Sequence, residues 1–173
     1  MIRSMYRLAE WLALVGGVVL VAITLMVVTS VTGRALTSIG LGPVQGDFEL
    51  VEVGMAVAIF FFMPWCYVKA GHATVDLLYM HMGPAGRRAI QVVSDLLMLG
   101  VWLVLVWQLG LGMLEKKEYL ETTFILQIPI WWGYALSLVG GVAGCLVYAA
   151  RTLTGLGLAQ EPAGWAPEAN TGH

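Results

Sequence analysis

The sequence predicts an all-α membrane protein of four transmembrane helices with short interfacial segments and both termini in the cytoplasm. Two observations carry most of this. Four long apolar stretches make up nearly the whole chain, Trp11–Gly33, Val53–Val68, Leu96–Leu114 and Thr122–Ala150. Charged residues are 12% of the 173 residues and apolar residues 59%, about half the charged share of an ordinary soluble domain. A spanning helix needs ~20 mainly apolar residues to cross ~30 Å of hydrocarbon, so four spans leave no room for a soluble domain. The third observation is the distribution of Lys and Arg. Arg3, Arg7, Lys69, Arg87, Arg88 and Arg151 would lie on one side, and Arg34, Lys116 and Lys117 on the other. Six against three places the first set in the cytoplasm.

The expected spans are about 11–33, 50–68, 92–114 and 129–150, within a membrane domain of residues 1–154. The first resembles a signal peptide, with Arg3 and Arg7 before an apolar run. That run is 23 residues with no small-x-small site after it, against ~7–15 for an h-region, so it is expected to be retained. The first connection holds Gly40, Gly42, Pro43 and Gly46 and reads as a turn-rich outer loop. The fourth stretch has 29 residues, or ~44 Å of helix, too long for one untilted crossing. Pro129 divides it into an outer interfacial segment, Thr122–Ile128, and the span proper. Tyr6, Trp11, Trp65, Tyr67, Trp131, Trp132, Tyr134 and Tyr148 mark the interfaces. Trp102 and Trp107 lie deeper, where packing or lipid contact is expected. Residues 155–173, rich in Gly, Ala and Pro, read as a disordered cytoplasmic tail.

The few polar residues near the spans are the candidate functional ones. Glu49 and Glu52, three apart, share a helix face at the outer start of the second span. A carboxylate at mid-membrane costs ~2.5–3.5 kcal/mol on insertion scales, so the pair should face water or a partner. Three readings stand: acidic residues complementing a helix dipole at headgroup level, an ionic anchor with Arg34, or a proton site. His72 and Asp76 are spaced i, i+4 with His81 nearby, but two ligands and a distant third fall short of a zinc site, and local hydrogen bonding is the expected role. All three histidines lie outside the spans, which argues against bis-histidine haem. Asp95, two turns into its helix, is expected to pair with Lys69, Arg87 or Arg88, or to snorkel. Glu115, Lys116, Lys117, Glu118 and Glu121 form a mixed-charge outer connection, either a solvated turn or a docking surface for a soluble partner. Gly140 and Gly144 make a small-xxx-small pair suited to close helix approach. Cys66 and Cys145 read as small packing residues. No catalytic set, phosphate loop or redox motif is present, no metal or cofactor is expected, and a net charge of −2 gives no reason to expect nucleic acid.

Taken in order, several blocks carry a family resemblance. They are Arg34 after the first span, Asp47-Phe48-Glu49-Leu50-Val51-Glu52, Phe62-Met63-Pro64, Gly71-His72-Ala73-Thr74-Val75-Asp76, and Thr122-Thr123 through Ile128-Pro129-Ile130-Trp131. Over roughly residues 5–150 the chain resembles the DctQ-like small membrane subunit of tripartite ATP-independent periplasmic (TRAP) transporters. The resemblance implies a scaffold subunit that braces a large DctM-like membrane subunit and helps dock a periplasmic DctP-like substrate-binding protein. It further implies organic-acid uptake driven by a sodium gradient acting through the large subunit, in a bacterial inner membrane. Arg34, Glu49, Glu52, His72 and Asp76 occupy the family's recurrent polar positions, where interface or fold roles are implied. The competing reading is an independent small proton- or ion-conducting protein using Glu49, Glu52 and Asp95.

Overall fold

The computed structural model describes residues 2–69 and 84–155. Four helices carry the fold: α1 (Ile2–Ala35), α2 (Asp47–Val68), α3 (Pro84–Glu118) and α4 (Trp131–Gly155). All four are long and apolar enough to cross a membrane. α1, α2 and α3 are each longer than the apolar stretch that announces them, because helical backbone hydrogen bonding continues into the flanking polar residues. α4 starts at Trp131, two residues after the proline expected to open it. His72, Asp76, His81 and the expected tail from 156 onward lie outside the described residues.

The helices alternate in direction, giving two distinct ends. The loop end carries the connections 36–46 and 119–130, and the other is the termini end. α2 and α4 pack together in the middle, α1 lies against α2 and more lightly against α4, and α3 lies mainly against α4. α1 and α3 therefore stand on opposite flanks, and most of their side chains remain exposed. The arrangement is an open layer rather than a closed four-helix bundle.

Close backbone approach holds the central pair together. Pro64 sits inside α2 and is buried; lacking an N–H, it cannot bond the carbonyl of Phe60. Gly140 of α4 lies against that same carbonyl, so closely that a Cβ there would stand 2.7 Å from the oxygen. The glycine lets α4 meet the released carbonyl, in the manner of the weak Cα–H contacts found between membrane helices. One turn on, Gly144 accommodates the indole of Trp102 from α3, whose Nε1 donates to the carbonyl of Gly141 at 2.8 Å. Trp102 is thus buried packing, whereas Trp107 on the same helix is exposed.

Candidate functional site: polar clasps at the two ends of the helix layer

At the loop end, Ser30 and Arg34 lie one turn apart near the end of α1 and converge on Asp47, the first residue of α2. Ser30 Oγ donates to Asp47 Oδ2 at 2.6 Å, and Arg34 Nη2 reaches the same oxygen at 3.3 Å. The Val44 N–H in turn donates to Ser30 Oγ at 3.2 Å. Gly46 precedes the helix with φ +74°, a left-handed conformation that glycine adopts without strain. The carboxylate that meets Arg34 is therefore Asp47, which the sequence argument placed in a motif but gave no role.

Glu49 points the other way. Its two oxygens accept the consecutive N–H groups of Ile125 and Leu126, at 2.6 and 2.9 Å. The segment it holds, expected as an outer interfacial segment, is a folded turn. Thr123 N–H donates to the Ile128 carbonyl at 2.8 Å, and Ile130 N–H to the Glu121 carbonyl at 3.0 Å. Ile128 N–H donates back to Thr123 Oγ1 at 3.1 Å. Leu126 then lies over Gly46, where a Cβ would collide with it. Glu52 is exposed and has no partner among the described residues.

The mixed-charge connection is partly consumed by its own fold. Lys116 Nζ bonds Glu121 Oε2 at 2.8 Å, and the Lys117 ammonium lies 5.4 Å from the Trp131 ring centroid. Glu115, Lys117 and Glu118 stay exposed.

At the termini end, three helices are tied through one tyrosine. The Tyr67 hydroxyl of α2 donates to Asp95 Oδ1 of α3, both residues being buried. Arg151 Nη1 of α4 donates to the carbonyls of Tyr67 and Val68, at 3.0 and 3.1 Å, covering two of the orphan acceptors at the end of α2. Its guanidinium also lies 5.3 Å from the Tyr67 ring. Tyr67 and Trp102 both pack on Tyr148, with centroids 4.0 and 5.2 Å away. Asp95 thus takes a tyrosine hydroxyl, and the side chains of Arg87 and Arg88, two of its expected partners, lie outside the described ones. Asp95 Oδ2 and the Tyr148 hydroxyl are buried without a hydrogen-bond partner among the described residues.

Chemically, these groups bind helices to one another. Carboxylates, a serine, a tyrosine and two arginines are engaged with backbone N–H, backbone carbonyls or each other. Among the described residues no three His, Cys, Asp or Glu side chains converge as a metal site. Cys66 and Cys145 are both free thiols. Sequence reasoning gave no sign of what Ser30 and Asp47 do, and it marked Tyr67 and Tyr148 only as interface residues and Arg151 only as a cytoplasmic charge. The only advance signal was the i, i+4 spacing of Ser30 and Arg34, since contacts between helices have no signature in one chain.

In a comparison with protein families, residues 23–157 fit the model described as "Tripartite ATP-independent periplasmic transporters, DctQ component". Both clasps fall inside that stretch. No curated protein and no solved structure matches the chain.

Proposed function

Because this chain belongs to the DctQ component family of the tripartite ATP-independent periplasmic transporters, we propose that it is the non-catalytic scaffold of such a transporter. In this reading it braces a large DctM-like subunit and helps a periplasmic DctP-like binding protein to dock. The supporting observation is where the polar side chains are used. They join helix ends, while the stretches Val53–Val68, Leu96–Leu114 and Trp131–Ala150 contain no ionisable Asp, Glu, Lys, Arg or His. Transporter sites are usually built near the midplane from broken helices and polar groups, whereas the four helices here are continuous and carry no ionisable side chain there. Glu49, Asp47 and Arg34 have structural tasks, and Asp95 is held by Tyr67.

Substrate passage, its coupling to sodium and the choice of organic acid then belong to the other subunits. The termini end faces the cytoplasm of a bacterial inner membrane and the loop end the periplasm, where exposed Glu115, Lys117 and Glu118 face the binding protein. The decisive experiment is reconstitution. Liposomes with this chain and the large subunit should take up substrate when binding protein and a sodium gradient are supplied. Liposomes holding this chain alone should take up none, and uptake or proton leak by the isolated chain would put the conducting-protein reading first.

A further inference from the structure

α2 presents one face to neither α1 nor α4. Val53 and Phe60 meet Gly133 and Gly140 of α4, while Gly54 and Ala58 meet Ile23 and Gly16 of α1. α3 meets α2 towards the termini end, through Phe60–Trp102 and Tyr67–Asp95. The remaining face carries Phe48, Glu52, Met55 and Ile59, spaced as one helical stripe. Phe48, Met55 and Ile59 are 75%, 41% and 52% exposed.

Glu52 is the anomaly on this stripe. It is exposed, with apolar side chains on either side along the helix and no cation or donor reaching it from the described residues. It lies ~4.5 Å deeper along the axis than Glu49, whose two oxygens are both used at the loop end. Lipid tails are a costly environment for a carboxylate, and such residues face a partner or water instead. Water alone would leave Met55 and Ile59 without an apolar neighbour.

Resting on the scaffold reading above, we infer that this stripe receives a membrane-spanning helix of the large subunit. That helix would place an Arg or Lys opposite Glu52, with apolar residues against Phe48, Met55 and Ile59. The charge selects the register and the stripe supplies the packing.

The test uses the full chain, tagged and co-expressed with the large subunit, and reads the subunit ratio after purification in mild detergent. Glu52→Lys should lower the retained large subunit by about tenfold, equivalent to ~1.4 kcal/mol. Glu52→Gln should lower it less, and Glu10→Lys, the same reversal at an exposed site on α1, should leave it unchanged. Melting of each variant alone shows that the chain still folds. A photo-reactive residue at Ile59 should form an adduct with the large subunit, on a helix bearing Arg or Lys. If Glu52→Lys keeps the wild-type ratio and the Ile59 probe labels lipid alone, Glu52 is merely an interfacial carboxylate and the inference is wrong. If even the wild-type chain retains no large subunit, the scaffold reading itself fails, and the stripe with it.

Discussion

Glu49 spends both carboxylate oxygens on two consecutive N–H groups of a segment 76 and 77 residues away, so a single side chain fixes the outer turn over the start of α2. Glu49→Ala should therefore leave the helices intact and release that turn. The check is hydrogen exchange, in which the Ile125 and Leu126 amides should exchange faster while those of α2 beyond its first turn do not change. At the opposite end, Tyr67 is the sole donor to a buried carboxylate among the described residues. Removing one member of a buried pair exposes the cost of the other, ~1–3 kcal/mol, whereas replacing both by apolar groups is nearly neutral. Tyr67→Phe should accordingly destabilise the chain by about that amount, and Tyr67→Phe with Asp95→Leu should recover much of it, read from thermal unfolding in detergent. Equal losses in the single and double variants would contradict the account. The sequence pointed to Glu49, Glu52, Arg34 and Asp95 because charges in an apolar chain stand out. It could not pair them, since Arg34 and Asp47 are brought together by a turn, and Tyr67 and Asp95 by the packing of two helices.

Elements were far more legible than contacts. Length and hydropathy suffice to place four helices, because a spanning segment must satisfy its own backbone and run the thickness of the hydrocarbon. The glycine pair in α4 was also visible, although which neighbour each glycine meets was not. Gly140 faces the Phe60 carbonyl of α2 and Gly144 the Trp102 ring of α3, so one motif serves two interfaces. A backbone oxygen cannot move aside, and overpacking of a close contact costs ~1–3 kcal/mol. Gly140→Ala should thus separate α2 from α4 and lower the melting temperature. Gly144→Ala should push the indole of Trp102 off the Gly141 carbonyl and shift its fluorescence. Gly17→Ala and Gly100→Ala provide the contrast, since a Cβ at either meets nothing within 4 Å. Both should be neutral or slightly stabilising, through the better helix propensity of alanine.

For the molecule as a whole, the open layer is the property with most consequence. α2 and α4 are covered on several sides, but α1 and α3 share little contact with each other and expose long apolar faces. Lipid satisfies those faces in a membrane, yet it adds no preference for one helix arrangement over another, because tails are as apolar as the helices themselves. The two clasps and the glycine contacts must then fix the layer, and a partner that binds only the assembled layer would fix it further. Such a ligand stabilises by RT ln(1 + [L]/Kd), about 2.7 kcal/mol at a hundredfold excess over Kd. For a chain of this size that corresponds to a rise of roughly 5–10 °C in Tm. Melting of the chain in one detergent, with and without the large subunit, should show that rise, and a tenfold weaker Glu52→Lys variant should show about half of it while leaving the lower value in place. A layer that melts at the same temperature in both states would be self-sufficient, and its exposed flanks would be lipid surfaces only.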